Sequence, residues 1–244
     1  MQNAALTALG LEGWRYQRLP IPPELLDETV RALPEQGFAG VNVTIPHKEA
    51  ALALANDASA AARAIGAANT LTFGEAGGIR ADNTDAPGLI AALPVRPEGC
   101  TVTVLGAGGT ARAAVWALRE AGAARISIWN RTAGRAAELA RRFGVQAAAQ
   151  PEPADIVVNT TSVGLHGEPI EALPAAQLLS AGTTVVDFVY HESGTALLMA
   201  AAASGCATVD GLELLVRQGA LSLELWTGRR PDLDVMRAAA RAAF

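Results

Sequence analysis

Residues 101–111 read Thr101-Val102-Thr103-Val104-Leu105-Gly106-Ala107-Gly108-Gly109-Thr110-Ala111, and this segment says most about the fold. A β-branched, strand-like run leads into three glycines, and a helix-like run follows at once. This order of strand, tight turn and helix is the G-x-G-x-x-G/A fingerprint of dinucleotide-binding domains. Gly106 allows the sharp bend, Gly108 lets backbone N–H groups approach a pyrophosphate, and Ala111 keeps the helix close to the sheet. The alternative is a glycine-rich turn without a cofactor, and the flanking strand and helix favour cofactor binding.

The same alternation of strand and helix patterns continues towards the C-terminus. Strand-like runs lie at 101–105, 125–129, 156–159, 184–189 and 207–209, and helix-like runs lie at 110–121, 133–143 and 195–204. Continuous β-branched residues, as in Thr184-Val185-Val186, are typical of strands that are covered on both faces. We therefore predict an α/β fold in which helices flank a doubly wound parallel sheet of the Rossmann type.

Residues before a break at 94–99 form a separate, shorter series. Strands are predicted at 15–21, 39–45, 69–73 and 78–81, and helices at 24–33, 48–55 and 59–65, the last ending near Gly66 as a C-cap. A glycine-rich turn at 75–78 is expected to join the last two strands. Helices at 212–226 and 235–243 are expected to fold back onto this series. The sequence thus predicts two structural units, 1–85 with 212–244, and 86–211.

The end of the second strand of the predicted parallel sheet selects the cofactor. An NAD site usually has Asp or Glu there, about 20 residues after the glycines, to bind the ribose 2′-hydroxyl. This chain has Asn130-Arg131-Thr132, with Arg135 in the first turn of the following helix. A guanidinium can hold a 2′-phosphate with a planar fork of donors, whereas a carboxylate would repel it. NADP is therefore the predicted cofactor, and the alternative is that both arginines are ordinary surface charges.

Composition argues against several other classes of protein. Half of the 244 residues are apolar and 18% are charged, which argues against intrinsic disorder. The net charge of −5 argues against nucleic acid as the main partner, and no apolar run approaches the roughly 20 residues of a membrane helix. Two cysteines make no disulfide framework, and with three histidines they predict no metal site. Because the first residues also lack the pattern of a signal peptide, we expect a cytoplasmic protein.

Lys48 is the single lysine among 19 basic residues. An ammonium group can exchange a proton in suitable surroundings, whereas a guanidinium keeps its proton throughout the usable pH range. Since arginine supplies the other positive charges of this chain, a single lysine is expected at a site of proton transfer. A lysine that survived by chance on a solvated surface is the alternative, and the count alone does not decide between them.

Seven segments, in this order along the chain, resemble the shikimate dehydrogenase family. They are Asn42-Val43-Thr44-Ile45-Pro46-His47-Lys48, Gly66-Ala67-Ala68-Asn69-Thr70, Asp82-Asn83-Thr84-Asp85, the turn at Gly106, Asn130-Arg131-Thr132, Asn159-Thr160-Thr161-Ser162-Val163-Gly164, and 210–218. The resemblance covers nearly the whole chain. It implies a substrate-binding domain at 1–85 with 212–244 and an NADP-binding domain at 86–211. It also implies NADP-linked interconversion of 3-dehydroshikimate and shikimate, a step of aromatic amino-acid biosynthesis.

The resemblance implies roles for individual residues as well. Lys48 matches the catalytic lysine of the family and Asp85 the carboxylate paired with it, and whether Lys48 carries a proton or acts as an electrostatic clamp stays open. Substrate-binding roles are implied for Thr44, Asn69, Tyr190 and Gln218. Cofactor-binding roles are predicted for Gly106, Ala107, Gly108, Gly109, Thr110, Ala111, Asn130, Arg131, Thr132, Arg135, Thr161, Ser162, Phe188 and Gly211. For Asn69 and Tyr190 taken alone, a turn residue and a strand-end aromatic are the alternatives.

The chain departs from the family pattern at its start. Family members normally begin with a β-strand and Ser-x-Ser-Pro, whose serines bind the substrate carboxylate, whereas this chain begins Met1-Gln2-Asn3. We therefore hypothesise that Met1 is an internal methionine and that the native protein is longer; the alternative is loss of the segment. An in-frame Ser-x-Ser-Pro in the DNA upstream of Met1 would decide between them. A smaller departure is Tyr190-His191-Glu192, where the family often has proline shortly after the tyrosine.

Two other functions remain open. The quinate/shikimate branch of the family uses NAD, and Arg131 argues against it. A non-catalytic member that binds NADP or a shikimate-like ligand is favoured by the missing serine pair, while Lys48 and Asp85 argue against it. The family contains monomers and dimers, so the sequence leaves both a monomer and a homodimer open.

Overall fold

The computed structural model describes residues 1–74 and 77–243, so Glu75 and Ala76 of the predicted glycine-rich turn lie outside the described residues. Its strands are β1 (Gly40–Asn42), β2 (Asp57–Ala58), β3 (Thr70–Phe73), β4 (Ile79–Asp82), β5 (Thr101–Leu105), β6 (Arg125–Trp129), β7 (Gln146–Ala147), β8 (Ile156–Asn159), β9 (Thr184–Asp187) and β10 (Ala207–Val209). Its helices are α1 (Gln2–Ala8), α2 (Leu26–Ala32), α3 (Lys48–Leu54), α4 (Ala60–Ile65), α5 (Asp85–Ala92), α6 (Gly109–Glu120), α7 (Ala133–Phe143), α8 (Ala196–Ala203), α9 (Gly211–Thr227) and α10 (Leu233–Arg241).

The chain divides into two compact units. The first consists of Met1–Pro87 with the segment from Val216 onward, and the second is Gly88–Leu215. The chain therefore leaves the first unit within α5 and returns to it within α9. The limits predicted from the sequence, 85/86 and 211/212, lie a few residues before these crossings.

A four-stranded mixed sheet forms the centre of the first unit. Its strand order is β1-β3-β4-β2, with β3 antiparallel to both β1 and β4 and with β2 parallel to β4. Val30 of α2, Ala51 of α3 and Ala62 of α4 pack with Leu71 and Ala81 of the sheet in one buried cluster. The alanines let α3 and α4 approach the sheet closely, because a longer side chain would need space that the packed interior does not leave.

Local signals set the limits of α4 as the sequence predicted. The Ser59 hydroxyl accepts a hydrogen bond from the backbone N–H of Ala62 at 3.2 Å, which satisfies a donor that the first turn leaves free. Gly66 follows the helix with φ +74°, in the left-handed region that favours glycine at a helix C-terminus. The predicted C-cap at Gly66 is confirmed.

Helix α9 is held against the first sheet by a tryptophan that lies over a glycine. The indole N–H of Trp226 donates to the carbonyl oxygen of Leu71 at 3.0 Å. A Cβ on Gly40 would lie 2.1 Å from the indole nitrogen, so only glycine leaves room for this contact. Because Gly40 of β1 has no side chain, Trp226 of α9 can reach the backbone of β3.

A six-stranded, fully parallel sheet forms the centre of the second unit. Its strand order is β10-β9-β8-β5-β6-β7, so the order reverses at β5. One face packs on α6 and α7 through residues such as Val104, Val158 and Leu118. The other face packs on α8 through residues such as Val157 and Leu197. The predicted doubly wound α/β fold is confirmed, and burial on both faces explains the continuous apolar strands.

The strand predicted at 15–21 is wrong. These residues lie mostly exposed without regular secondary structure, and prolines at 20, 22 and 23 remove backbone donors that a sheet would need. Tyr16 in this segment is nevertheless partly buried. Its ring stacks on Trp226 at a centroid distance of 6.3 Å, and its hydroxyl donates to Oδ1 of Asn42 at 3.1 Å.

Helix α1 was not predicted, and it packs against α10. Gln2 is buried, and its side-chain amide donates to the carbonyl oxygen of Gly219 at 3.2 Å. No helix in the described part of the chain is both long and apolar enough to cross a membrane.

Candidate active site

Lys48 and Asp85 form a buried ion pair in the first unit. Lys48 is the first residue of α3, and Asp85 is the first residue of α5. The Nζ atom of Lys48 lies 2.7 Å from Oδ2 of Asp85, and the two side chains are 11% and 9% exposed. Desolvation of two charges offsets much of their attraction, so stability alone is a weak reason for such a pair. The single lysine and the carboxylate predicted to accompany it are therefore in direct contact.

Backbone contacts position the start of α3, and hence Lys48. The carbonyl oxygen of Lys48 accepts from the backbone N–H of Ala68 at 2.8 Å, and the N–H of His47 donates to the carbonyl oxygen of Thr44 at 2.9 Å. The ring Nε2 of His47 lies 2.9 Å from the carbonyl oxygen of Ile21. Thr44 is exposed, and its hydroxyl has no hydrogen bond to another described residue. His47 thus anchors the turn before the helix, which agrees with a structural role for it.

Asn69 is the third member of the cluster. Its side-chain amide donates to Oδ1 of Asp85 at 2.8 Å and to the Thr84 hydroxyl at 3.0 Å. Its oxygen accepts from the backbone N–H of Thr84 at 2.8 Å, which fixes the orientation of the amide. Asp85 therefore receives Lys48 on one oxygen and Asn69 on the other. The carboxylate is held rigidly at the point where both donors converge.

Gln218 of α9 joins the cluster through its side-chain oxygen, which lies 3.3 Å from the amide nitrogen of Asn69. Four residues later, on the same face of the helix, Ser222 is fully buried. Its hydroxyl accepts from the amide of Asn42 at 2.8 Å and lies 2.9 Å from the Thr70 hydroxyl. These bonds connect α9 with β1 and β3.

Ser222 and Thr84 were not among the predicted site residues. The four-residue spacing between Gln218 and Ser222 is a sequence signal that would have identified the serine. Thr84 lies beside Asp85 in the Asp82-Asn83-Thr84-Asp85 segment, and nothing in the sequence alone shows that its hydroxyl meets Asn69. The contact depends on how β3 and β4 align.

The cluster can bind and polarise a hydroxyl group. Within residues 1–74 and 77–243, Asp85 is the only hydrogen-bond partner of the Lys48 ammonium. An ammonium has three N–H donors, so two remain for an oxygen atom of a ligand. Proton exchange at that oxygen is the chemistry that a buried lysine beside a fixed carboxylate can support.

The glycine turn predicted to hold a cofactor lies between β5 and α6 of the second unit. Gly106 has φ +113°, and a Cβ there would lie 2.4 Å from the Thr160 hydroxyl, so both its conformation and its surroundings require glycine. A Cβ on Gly108 would meet no described atom within 4 Å. Among the described residues no side chain caps the start of α6, and its first N–H groups are therefore free to bind an anion. The turn thus fits a dinucleotide pyrophosphate.

The two arginines predicted to select NADP follow β6. Arg131 and Arg135 are exposed, and neither guanidinium is bonded to another residue in the described part of the chain. The side-chain amide of Asn130 donates to the carbonyl oxygen of Thr132 at 3.0 Å and so stabilises the bend after the strand. These two guanidinium groups follow β6, the strand beside β5, and their N–H donors suit the binding of a phosphate ester.

The remaining predicted cofactor residues lie in loops at the carboxyl ends of β8 and β9. Thr161 donates its hydroxyl to Oδ1 of Asn159 at 2.7 Å, and Ser162 is exposed beside it. Phe188 is half-buried and Tyr190 is exposed in the segment after β9. A Cβ on Gly211 would lie 2.6 Å from the backbone of Val189, which explains why glycine begins α9.

The predicted site residues therefore fall into two groups. Lys48, Asp85, Asn69 and Gln218 form one bonded cluster in the first unit, whereas the glycine turn, the arginines and the loops after β8 and β9 belong to the second. In the part of the chain that the structure describes, no group of three or more His, Cys, Asp or Glu side chains could hold a metal ion.

Three family models match the chain. The model of the shikimate dehydrogenase substrate binding domain matches residues 1–71. The model of shikimate / quinate 5-dehydrogenase matches residues 92–162, and that of the shikimate 5'-dehydrogenase C-terminal domain matches residues 211–241.

The chain is also similar to whole proteins. The shikimate dehydrogenase (NADP(+)) of Methylobacterium radiotolerans is 48% identical over 242 residues, which cover 93% of this chain and 85% of that protein. The shikimate dehydrogenase (NADP(+)) of Methanocella arvoryzae is 43% identical over 257 residues, which cover 100% of this chain and 93% of that protein.

Solved structures show the same fold. Shikimate 5-dehydrogenase from Thermus thermophilus, in complex with NADP(H) and shikimate, superposes with a TM-score of 0.90 at 41% identity, covering 100% of this chain and 93% of that one. The ligand-free 5-ketofructose reductase of Gluconobacter sp. strain CHM43 superposes with a TM-score of 0.89 at 35% identity, covering 99% and 92%. The same fold therefore occurs in proteins whose names give different substrates.

Proposed function

The chain belongs to the shikimate dehydrogenase family, and we propose that it is an NADP-dependent oxidoreductase that interconverts 3-dehydroshikimate and shikimate. The observation that carries the proposal is the buried contact of Lys48 with Asp85 and Asn69. This contact supplies a hydroxyl-binding, proton-exchanging cluster in a chain that is 48% identical to a shikimate dehydrogenase (NADP(+)). In this proposal the first unit binds the substrate and the second binds the cofactor.

NADP is the cofactor, and it supplies the hydride acceptor or donor when bound. The residues that hold it are those of the glycine turn, from Gly106 to Ala111, with the N-terminus of α6 facing the pyrophosphate. Arg131 and Arg135 hold the 2′-phosphate, and Asn130 and Thr132 shape the bend that presents them. Thr161, Ser162, Phe188 and Gly211 line the nicotinamide side.

In the reduction direction the Lys48 ammonium keeps one N–H on Asp85 and donates a proton to the oxygen of the ketone, which leaves a neutral amine. In the oxidation direction the neutral amine accepts the proton of the substrate hydroxyl and becomes the ammonium again. Asp85 orients the Lys48 ammonium and also hydrogen-bonds the substrate hydroxyl that reacts. The other hydroxyl groups and the carboxylate of the substrate are bound by Asn69, Gln218, Thr44 and Tyr190. Holding the ring in one orientation is the larger part of the protein's contribution, because the hydride step belongs to the cofactor.

Two other functions compete with this proposal. An NAD-using quinate/shikimate dehydrogenase is disfavoured by Arg131 and Arg135, which have no role in binding a free 2′-hydroxyl. A non-catalytic binding protein is disfavoured by the contact of Lys48 with Asp85, since binding alone does not require a buried ion pair. Cytoplasmic location and a monomeric or dimeric state stay predictions from the sequence.

The test is formation of NADPH from NADP⁺ and shikimate, followed by absorbance. We expect turnover with shikimate, and much slower turnover with quinate, with fructose as the alcohol related to 5-ketofructose, or with NAD⁺ in place of NADP⁺. The assay is run on residues 1–244. A protein that binds shikimate and NADP⁺ but never reduces NADP⁺ would contradict the proposal.

A further inference from the structure

The second unit contains a buried carboxylate to which the proposed mechanism gives no role. Asp187 is the last residue of β9, and Asn159 is the last residue of the neighbouring strand β8. The two residues are register partners, and both are fully buried. The side-chain amide of Asn159 donates to Oδ1 of Asp187 at 2.8 Å. Two polar residues thus face each other where two apolar strands end.

Asp187 and Asn159 each hold the loop that follows a strand. Asp187 accepts from the backbone N–H of Val189 at 3.0 Å and from the Thr195 hydroxyl at 2.6 Å. Asn159 accepts from the backbone N–H and the hydroxyl of Thr161, at 3.0 and 2.7 Å. The amide of Asn159 also lies 3.3 Å from the carbonyl oxygen of Val163. Loops 160–164 and 188–195 are therefore joined through one pair of side chains.

All three donors to Asp187 are neutral, and among the described residues no cation is bonded to it. The stability of the buried carboxylate depends on each of these hydrogen bonds, because a buried oxygen without a hydrogen-bond partner costs free energy. Thr195 also fixes the start of α8, since its hydroxyl accepts from the backbone N–H of Leu198 at 3.3 Å. The geometry of both loops thus depends on a single buried group.

These loops lie on one side of the point where the strand order reverses. The glycine turn follows β5, with β6 and Arg131 on one side and β8 and β9 on the other. In doubly wound sheets a dinucleotide crosses the carboxyl ends of the strands at this point. In the proposed function Arg131 and the glycine turn bind the adenosine half of the dinucleotide. The loops after β8 and β9 therefore lie on the side of its nicotinamide half.

We propose that Asp187 is a positioning residue for the cofactor, which holds loops 160–164 and 188–195 in the conformation that receives the nicotinamide half of NADP(H). This assignment rests on the proposed function. Asp187 does not touch the cofactor itself; it acts through Asn159, Thr195 and the backbone of Val189. Its effect is preorganisation, because loops that are already ordered lose less entropy when a ligand binds.

The test compares Asp187→Asn with the control Asp155→Asn in the full chain. Asp155 also accepts a backbone and a hydroxyl donor, both from Thr101, at 2.7 and 2.8 Å. It precedes β8 and meets the first residue of β5, so it lies at the amino edge of the same sheet and away from the two loops. The probes are NADPH and adenosine 2′-phosphate 5′-diphosphate, a fragment that lacks the nicotinamide riboside, with binding measured by calorimetry.

We expect Asp187→Asn to raise the Kd of NADPH about tenfold and to leave the Kd of the fragment within about twofold. Asp155→Asn should leave both within about twofold. Equal weakening of both ligands, or no weakening of NADPH, overturns the assignment while the proposed function stands. A wild-type chain that binds neither ligand contradicts the proposed function, and the assignment falls with it.

If Asp187→Asn does not fold, a pair of variants at Thr195 tests the positioning role of Asp187. Thr195→Val removes the hydroxyl that donates to Asp187 and keeps the shape, whereas Thr195→Ser keeps the hydroxyl. We expect Thr195→Val to weaken NADPH selectively and Thr195→Ser to bind both probes like the wild type. Equal behaviour of the two Thr195 variants overturns the assignment.

Discussion

The Lys48 side chain is 11% exposed, and among the described residues Asp85 is the only ion-pair partner of its ammonium group. The same carboxylate also receives Asn69, so the three groups are coupled, and loss of one leaves buried polar atoms of the others unpaired. The role of each side chain here is therefore best measured by separating its effect on binding from its effect on turnover.

Replacement of Lys48 by alanine should lower kcat for shikimate oxidation about 10²–10⁴-fold, the usual range for loss of a general acid or base. Shikimate binding should weaken by less, because Asn69 and Gln218 remain. Steady-state kinetics and direct shikimate titration measure the two effects. Arg31→Ala, which removes an exposed cation paired with Asp27, is the control and should change neither. Equal losses of turnover and binding in Lys48→Ala would remove its catalytic role.

The stability contributed by Asp187 should fall as pH rises. Burial raises the pKa of the Asp187 carboxyl, and hydrogen bonds from Thr195, Val189 and Asn159 oppose that rise. Between the ordinary pKa and the raised one, the native chain keeps a proton that the unfolded chain has lost, so the free energy of unfolding decreases with pH there. Unfolding midpoints measured from acid to neutral pH should therefore fall in the wild type relative to Asp187→Asn.

Glu168 provides a control of opposite sign for this pH dependence. The backbone N–H groups of His166 and Gly164 donate to its carboxylate, and the pKa of Glu168 is lowered, chiefly by the bond from His166. The wild type should therefore gain stability relative to Glu168→Gln as pH rises through the window between the lowered and the ordinary pKa. A wild-type minus Asp187→Asn difference that stays flat or rises would contradict the Asp187 prediction.

The turn between β5 and α6 contains Gly106 and Gly108, and each position requires glycine for a different reason. Gly106 has φ +113° and lies against Thr160, whereas Gly108 has extended backbone and open space on its Cβ side. The first glycine is required by the protein itself. The second is required only if a ligand approaches the backbone closely.

Gly106→Ala should therefore lower the free energy of unfolding by about 1–3 kcal/mol, from the strained conformation and the clash with Thr160. Gly108→Ala should leave the free energy of unfolding nearly unchanged and weaken NADPH binding, because its methyl group enters the space of the pyrophosphate. Urea unfolding and nucleotide titration of both variants measure these effects. Unchanged NADPH affinity in Gly108→Ala would show that the cofactor does not approach this turn.

The two units are connected by helices that belong to both. Asp85 begins α5 within the first unit, and Leu89 of the same helix is part of the buried core of the second. Gln218 of α9 joins the Lys48 cluster, while Leu214 of α9 is buried with the second unit. The helices that carry the chain between the units thus also carry residues of the candidate site.

NADPH at 100 times its Kd should stabilise the protein by about 2.7 kcal/mol, because it binds only the folded chain. For a chain of this size that unfolds in one transition, this is a rise of roughly 5–10 °C in its Tm. NADH at the same concentration should raise that Tm much less. In the variant Arg131→Ala/Arg135→Ala the difference between the two nucleotides should disappear, and its persistence would contradict the assignment of the arginines.

Sequence pattern alone was enough for the glycine turn, the limits of α4 and five of the six strands that the structure describes in the parallel sheet; the two-residue strand β7 was not predicted. Each depends on neighbours along the chain: β-branched runs for buried strands, glycines at the bend, Ser59 and Gly66 at the ends of the helix. Recognition of the family added Asp85 and favoured the catalytic role of Lys48 that the lysine count had left open. None of these inferences needed to know which distant residues meet.

Contacts between distant residues were decided only by the tertiary structure. Residues 15–21 were predicted as a strand, yet Tyr16 is partly buried because Trp226 lies opposite it, not because a sheet continues there. Asn159 meets Asp187, and Ser222 meets Asn42 and Thr70, because strand register and helix docking bring them together. A hydrogen bond acts over about 3 Å regardless of separation along the chain, so local sequence patterns carry no record of such pairs.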